Sequence, residues 1–101
     1  AIYGARYEAA VANKALAPNE ATVTIAGKFC ESGDILINDI QLPAISSGDL
    51  IAVPDCGAYC LAMASNYNAS LKPPIVLVKD GQARLIRRRE TYEDLSRLDV
   101  M

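Results

Sequence analysis

Short apolar runs that alternate with polar residues, and that end in polar turns, recur along this sequence and constrain the chain to β structure. Thr22–Ile25 places alternate side chains on opposite faces, as in a half-buried strand. Ile75–Val78 is continuously apolar, which predicts a central strand. Asp80–Gly81 then predicts a two-residue hairpin turn that joins this strand to Ala83–Arg88.

One further segment has the apolar spacing of a strand whose register is interrupted. Ile35 and Ile37 share one face, whereas Ile40 and Leu42 have the opposite parity. A turn or bulge at Asn38–Asp39 explains that change of face. Two more strands are predicted, at Tyr7–Ala12 and Leu50–Val53.

Two segments have the pattern of a helix. The stretch from Gly57 to Tyr67 carries small and apolar residues at helical spacing and is apolar nearly all round, which predicts a buried helix. The second predicted helix runs from about Tyr92 to Leu98. Thr91 is its N-cap, and Asp94 completes a capping-box-like pair.

A length of 101 residues fits one small domain, and the chain has no repeat, low-complexity segment or internal linker. Residues 1–101 are therefore predicted to form a single, mostly β domain. The expected architecture is a Greek-key-like β-sandwich or barrel with one short buried helix and a C-terminal helix. A domain of this size buries only roughly two-thirds of its unfolded surface, so modest stability is expected without a partner.

The charge pattern excludes some classes of partner. With 10 basic and 12 acidic residues, the chain lacks the basic balance of a nucleic-acid-binding protein. The one basic run, Arg87–Arg89, is followed at once by acidic residues and indicates a solvated strand edge. No apolar stretch reaches the ~20 residues of a membrane span, and no signal peptide is recognised.

Composition also limits the chemistry. Because the chain has no histidine, it cannot assemble a Ser-His-Asp or Cys-His site by itself. The cysteines Cys30, Cys56 and Cys60 lack the Cys-x-x-Cys spacing of common zinc sites, so no metal is expected. Their odd number argues against a disulfide framework and favours the cytoplasm as the compartment.

The residues by themselves leave the functional site open. Cys30–Asp34 places a thiol and two carboxylates on a glycine-containing loop between two predicted strands, where sites often lie. The competing interpretation is a packing cysteine with turn-forming acids. Tyr59 is likewise either a functional residue or a buried aromatic side chain with a satisfied hydroxyl group.

Four segments and the tail carry a family resemblance. The segments are Ala1–Tyr7, Cys30–Asp34, Gly48–Tyr59 and Met63–Asn68, and the tail is Arg84–Leu95. Together they resemble the C-terminal β domain of the diaminopimelate decarboxylase family. That family belongs to the fold-type III pyridoxal-phosphate enzymes, with ornithine and arginine decarboxylases and alanine racemase. The likeness spans essentially the whole chain in order.

The resemblance implies a longer enzyme in which an N-terminal (β/α)₈ barrel precedes this domain. The barrel would hold pyridoxal phosphate through a lysine, a histidine and a glycine-rich phosphate site. The chain is then expected to be a fragment that is inactive alone. The implied reaction is decarboxylation of meso-diaminopimelate to L-lysine, carried out by a cytoplasmic homodimer with shared active sites.

The resemblance also assigns roles to four residues. Cys30 corresponds to a cysteine that reaches the neighbouring subunit's active site, where it is the expected proton donor after carbon dioxide leaves. Glu31 corresponds to the acid that binds the distal ammonium group of the substrate. Tyr59 is expected at the substrate site with its hydroxyl group on the cofactor phosphate. Tyr3 corresponds to a tyrosine that contacts the substrate carboxylate.

Departures from the family pattern leave alternatives open. The family more often has alanine at Cys56, glycine at Cys60 and an arginine near Leu71. Glu31 favours the diaminopimelate branch, since the ornithine-type relatives carry aspartate there. The alternatives are a decarboxylase of ornithine, arginine or carboxynorspermidine, and a stand-alone β binding module without chemistry.

Overall fold

The computed structural model describes residues 4–100 and divides the chain into two units, of which the first ends at Ala62 and the second begins at Met63. Within the described residues, six strands pair into three antiparallel two-stranded sheets, and the helices are short. The predicted mostly β class is therefore confirmed. Closure into a Greek-key sandwich or barrel stays a prediction.

The largest sheet of the first unit pairs β2, Ala21–Ala26, with β3, Ile35–Leu42. The register shifts twice, so β3 contributes two more residues than β2 across the paired stretch. One shift falls where Asp39 adopts a left-handed backbone with φ of 52°. The predicted bulge at Asn38–Asp39 is thereby confirmed, and it returns the apolar side chains to one face.

The second sheet of the first unit is short. β1, Ala10–Val11, pairs with β4, Ile51–Ala52, and a 3₁₀ helix at Ala12–Lys14 follows β1 directly. The strand predicted at Tyr7–Ala12 is too long at both ends, because only Ala10–Val11 pairs with another strand. Alternation of apolar residues predicts which face is buried, whereas a ladder also needs a partner strand alongside.

A polar cluster ties this 3₁₀ helix to the turn before β4. Asp49 accepts hydrogen bonds from the Lys14 Nζ over 2.6 Å, from the Asn13 Nδ2 and from the backbone N–H of Ser46, each of the last two over 2.8 Å. The Asn13 Oδ1 accepts in turn from the backbone N–H of Leu50. The hydrogen bond from Lys14 is the main reason why the pKa of Asp49 falls from 3.8 to about 2.

The second unit contains the predicted hairpin. β5, Ile75–Lys79, pairs with β6, Gln82–Arg87, through a two-residue turn. Asp80 and Gly81 have φ of 51° and 72°, the left-handed pair that such hairpin turns require. The prediction of the turn from these two residues is confirmed.

The C-terminal helix, α1, spans Tyr92–Ser96, somewhat shorter than predicted. The predicted capping box is present, since the Thr91 side chain accepts from the Asp94 N–H and the Asp94 side chain accepts from the Thr91 N–H. Acidic residues in the first turn also suit the positive end of the helix dipole.

Two predictions about buried elements are wrong. The segment from Gly57 to Tyr67 forms hydrogen-bonded turns and a 3₁₀ helix at Tyr67–Ala69 instead of one buried helix. The predicted helix cannot form through Tyr59, because the φ of 69° at this residue is incompatible with a right-handed helix. The strand β5 is not central, because within residues 4–100 it pairs with β6 alone and most of its side chains are exposed.

The buried apolar side chains among residues 4–100 all lie in the first unit. They are Pro43 and the three larger side chains Val11, Ile37 and Leu42, which have 1%, 9% and 3% of their surface exposed. Both units also expose large apolar side chains, and in the second unit these include Val76, Leu77, Val78, Leu85 and Ile86 of the hairpin. No helix in the described part of the chain is long and apolar enough to span a membrane.

The Asp49 cluster predicts a specific pH dependence of stability. The pKa of Asp49 is lower in the folded protein than in the unfolded chain. The stabilisation is therefore complete above pH 3.8 and is lost as the pH falls toward about 2. Replacing Asp49 with asparagine should therefore lower the melting temperature of the intact protein at neutral pH, and this deficit should shrink over that acidic range. The measurement is thermal unfolding against pH. Asp39→Asn is the control, since Asp39 makes no ion pair within residues 4–100; an equal deficit in both variants contradicts the assignment.

Candidate functional site

The loop that carries Cys30 joins β2 to β3 and is built by its own backbone. The Gly27 N–H donates to the carbonyl oxygen of Asp34 over 2.9 Å, which extends the β2–β3 pairing into the loop. The Asp34 N–H donates to the carbonyl oxygen of Glu31 over 3.0 Å. The carboxylate of Asp34 accepts from the Phe29 N–H over 3.1 Å. Asp34 thus fixes the loop through hydrogen bonds of both its backbone and its carboxylate.

Cys30 occupies the exposed end of this loop. Its backbone is left-handed, with φ of 58°, a conformation that costs a residue with a side chain about 1 kcal/mol or more. The surrounding hydrogen bonds hold the residue there and leave its free thiol exposed. An exposed thiol on a fixed backbone is available to a reacting group supplied from outside the chain.

Glu31 is exposed beside Cys30 and partly committed to the loop. Its Oε1 accepts from the backbone N–H of Gly33, two residues further along the chain, over 3.0 Å. This bond orients the carboxylate and leaves the second oxygen available for a cation. The predicted grouping of the thiol and this acid in one loop is therefore observed, while their roles stay predictions.

Tyr59 lies on a different turn of the first unit. The Cys60 N–H donates to the carbonyl oxygen of Ala58 over 2.9 Å, so the bond spans a single residue whose φ is 69°. This is the signature of the γ-turn that is rare and strained in proteins. The turn exposes 77% of Tyr59, and its hydroxyl group makes no hydrogen bond within residues 4–100. The fourth predicted residue, Tyr3, lies outside the described residues.

A contact that the sequence does not indicate lies beside this turn. The Tyr7 Oη is 3.6 Å from the Cys60 Sγ, and this hydrogen bond is the main reason why the pKa of Tyr7 is raised. The two residues are 53 positions apart, so no local pattern links them.

A second group of polar residues lies in the second unit. Glu90 accepts from the backbone N–H of Lys72 and from the Asn66 Nδ2, over 2.8 and 2.7 Å, and the bond from Lys72 is the main cause of its lowered pKa. Arg88 donates to both oxygens of Asp94 and holds the pKa of that carboxyl well below its usual range. They border an open cavity of about 760 Å³, which is lined by Asn66, Lys72, Arg87, Arg88, Glu90, Asp94, Leu95 and Arg97.

Comparison with known protein families gives a match over residues 1–57, to the family described as pyridoxal-dependent decarboxylase, C-terminal sheet domain. The chain is 53% identical over 100 residues to diaminopimelate decarboxylase of Bacillus subtilis. It is 52% identical over 99 residues to the protein of that name from Synechocystis. These matches cover 99% and 98% of this chain but only 23% and 21% of the relatives, so the chain spans under a quarter of their length.

Solved structures give the same likeness. A diaminopimelate decarboxylase crystal structure from M. jannaschii matches 99% of this chain with a TM-score of 0.86 and 39% identity, and the match covers 23% of that structure. The Helicobacter pylori diaminopimelate decarboxylase complexed with L-lysine matches 96% of the chain, with a TM-score of 0.84 and 38% identity. This match covers 24% of the Helicobacter structure.

The geometry of the loop predicts that position 27 does not tolerate a side chain. A Cβ atom at Gly27 would overlap the Asp34 carboxylate that closes the loop. Gly27→Ala should therefore lower the free energy of unfolding by about 1–3 kcal/mol, as overpacking does. The control is Gly57→Ala, because a Cβ there meets nothing within 4 Å, and a change within about 0.5 kcal/mol is expected. Urea unfolding of the intact protein measures both, and equal values for the two variants contradict the loop geometry.

Proposed function

Because this chain belongs to the pyridoxal-dependent decarboxylase family, whose C-terminal sheet domain matches residues 1–57, we propose that it is part of a diaminopimelate decarboxylase. The proposed reaction is the pyridoxal-phosphate-dependent conversion of meso-diaminopimelate to L-lysine and carbon dioxide. One observation carries this proposal: about half of the residues are identical to curated diaminopimelate decarboxylases along essentially the whole chain.

In this proposal, residues 1–101 form the single C-terminal β domain of an enzyme whose N-terminal (β/α)₈ barrel is its partner. The share of the relatives that the chain covers supports this division. The exposed apolar side chains of β5 and β6 also support it, since such surface is normally covered in a folded protein. Without the barrel, the chain is expected to be inactive.

Pyridoxal phosphate would be held mainly by the barrel, with Tyr59 as the contribution of this chain. When bound, the cofactor supplies an electron sink for the bond that breaks in decarboxylation. The exposed hydroxyl group of Tyr59, which makes no hydrogen bond within residues 4–100, suits a phosphate oxygen, because a phenol donates one strong hydrogen bond to an anionic acceptor. The γ-turn fixes the backbone that presents it.

Cys30 is the proposed proton donor to the carbon that loses carbon dioxide. The exposed thiol on a left-handed residue supports this role, because the loop aims a proton-bearing group away from its own chain. The exposure also supports the proposed homodimer, in which Cys30 and Glu31 complete the site of the neighbouring subunit. If the site is shared in this way, the separated subunits would be inactive.

Glu31 is proposed to bind the distal ammonium group of the substrate. Its carboxylate is oriented by the Gly33 N–H and keeps an oxygen available, which supports a charge-assisted hydrogen bond to an ammonium group. Tyr3 is proposed to contact the substrate carboxylate. The cytoplasm is the proposed location, and the three free cysteines Cys30, Cys56 and Cys60 are compatible with a reducing compartment.

The proposed reaction is tested on the full-length protein that contains this chain. Carbon dioxide release is measured with meso-diaminopimelate, ornithine and arginine, each with and without pyridoxal phosphate. We expect cofactor-dependent release from meso-diaminopimelate, with kcat/KM at least about 100-fold above the other two substrates. Faster release from ornithine or arginine would overturn the substrate assignment. No release from any substrate would favour the non-catalytic β binding module.

The roles of the two loop residues predict different kinetic defects. Cys30→Ala should lower kcat by about 100-fold or more, as the loss of a general acid does, with little effect on pyridoxal-phosphate affinity. Glu31→Gln should mainly raise KM for meso-diaminopimelate, since it removes the charge that binds the ammonium group. Steady-state kinetics and a cofactor titration distinguish them. An unchanged kcat in Cys30→Ala would refute the proton-donor role.

A further inference from the structure

The open cavity in the second unit is lined by more basic than acidic side chains. The basic residues are Lys72, Arg87, Arg88 and Arg97, and the acidic residues are Glu90 and Asp94. All of them follow Met63, at which the second unit begins. Because the whole chain has a formal net charge of −2, this positive excess is local. A concave surface with an excess of one charge concentrates ligands of the opposite charge.

The hairpin brings two of the basic residues together. β5 and β6 are antiparallel, so the start of β5 lies beside the end of β6, where Ile75 pairs with Arg87. The Glu90 N–H donates to the carbonyl oxygen of Lys72 over 3.2 Å, so the two segments stay together beyond the sheet. The backbones of Lys72 and Arg87 therefore lie at the same end of the hairpin.

An ion pair attaches α1 to this end of the hairpin. Arg88 follows β6 directly, and its Nη1 and Nη2 donate to the two carboxylate oxygens of Asp94 over 2.6 and 2.7 Å. Asp94 lies in the first turn of α1, and Arg97 follows the last residue of that helix. Because a bidentate arginine–carboxylate pair has a fixed geometry, it holds the helix and Arg97 beside the cavity.

The two acidic residues of the cavity have donors of their own. Asp94 accepts both hydrogen bonds from Arg88, and the Glu90 Oε2 accepts from the backbone N–H of Lys72 and from the Asn66 Nδ2. The bond from Arg88 is the main reason why the pKa of Asp94 is lowered, and the bond from Lys72 is the main reason for Glu90. Both carboxylates are thus stabilised by the fold itself.

Three of the basic side chains have no such partner. Among residues 4–100, the side chains of Lys72, Arg87 and Arg97 form neither an ion pair nor a hydrogen bond. Lys72 is half-buried, whereas the two arginines are exposed. Each of these side chains carries several N–H donors and no acceptor. The cavity therefore combines an excess of positive charge with donors that the described part of the chain does not use.

A small anion suits this cavity better than the acidic surface of a protein. Among the described residues that line the cavity, Leu95 is the only apolar one. Protein interfaces, by contrast, have apolar and aromatic residues at their centre. The volume of about 760 Å³ lies in the range of small-molecule sites, which is roughly 300–1,000 Å³.

The structure assigns to this cavity a binding site for a phosphate group, carried by a small organic molecule. A phosphate monoester has a charge of about −1.5 to −2 at pH 7 and several acceptor oxygens, which matches the excess of basic over acidic residues. The planar fork of an arginine side chain binds phosphate oxygens in pairs. The volume leaves space for the organic part. This inference goes beyond the proposed decarboxylation and does not rest on it.

The site is tested by calorimetric titration of the full-length protein that contains this chain. The protein is saturated with pyridoxal phosphate and then freed of the unbound excess, so that free cofactor does not compete. It is titrated with glucose 6-phosphate, orthophosphate and glucose at low ionic strength, because salt screens interactions between exposed charges. We expect glucose 6-phosphate to bind and glucose not to bind. Absence of binding by both phosphate compounds would overturn the proposal.

The comparison of the two phosphate compounds identifies the source of the phosphate group. Tighter binding of glucose 6-phosphate than of orthophosphate supports a phosphorylated molecule as the ligand. Equal or tighter binding of orthophosphate would overturn the organic part of the proposal and assign the site to free phosphate.

Variants show whether the phosphate group binds in this cavity. Arg87→Gln and Arg97→Gln should each weaken the binding of glucose 6-phosphate by about 10-fold or more, as the loss of a charge-assisted hydrogen bond does. Arg84→Gln is the matched control, since Arg84 also lies on β6 but does not line the cavity. We expect it to bind as the wild type does. Thermal unfolding checks that each variant is folded.

Unchanged binding by both Arg87→Gln and Arg97→Gln would place the phosphate elsewhere and overturn the proposal. An equal loss in Arg84→Gln would also overturn it, because the effect would then follow from net charge alone. The two cavity variants lie on different elements, so one of them still decides the question if the other does not fold. The titration needs no turnover, and a failure of the proposed decarboxylation would leave its result unaffected.

Discussion

The antiparallel pairing of β2 with β3 is the constraint on which the candidate site depends. The ladder brings both ends of the Cys30 loop together, and the hydrogen bond from Gly27 to Asp34 continues it past the last strand residues. Asp34 can fold its carboxylate over the loop only because position 27 has no side chain. Without this pairing, the loop would not hold the side chains of Cys30 and Glu31 in fixed positions.

The same pairing explains why β3 is irregular. A strict two-residue repeat would send either Ile37 or Leu42 to solvent, because their positions differ by five, which is an odd number. The bulged residues absorb this difference, and both side chains are buried. Asp39 accepts the left-handed backbone that the bulge requires, as short acidic residues do more readily than most. Burial of a few apolar side chains thus outweighs the loss of regular pairing.

Strained backbone coincides with two of the residues that the proposed function uses. Cys30 and Tyr59 both have left-handed conformations, and both have exposed side chains. Such conformations persist only where neighbouring contacts hold them, and they concentrate at functional positions. Around Cys30 the holding contacts come from the loop backbone and Asp34, and around Tyr59 they come from a γ-turn flanked by anchored thiols.

Local features of the fold could be read from the residues alone because their causes lie within a few positions. The Asp80–Gly81 turn, the Thr91 cap and the bulge at Asn38–Asp39 each follow from side chains and backbone preferences in the same short segment. The resemblance to a known family, which adds information from related proteins, indicated the candidate residues Cys30, Glu31 and Tyr59.

Long-range contacts and exposure were decided by the tertiary structure. Spacing alone predicted a buried helix around Tyr59, because small apolar residues at helical intervals do not reveal a γ-turn. The ion pair of Lys14 with Asp49 spans 35 positions, and no periodicity connects its members. The apolar run of β5 predicts an interior strand, whereas most of its side chains are exposed within residues 4–100. Which surface covers them is a property of the assembled molecule, since burial depends on neighbours from elsewhere in the chain or beyond it.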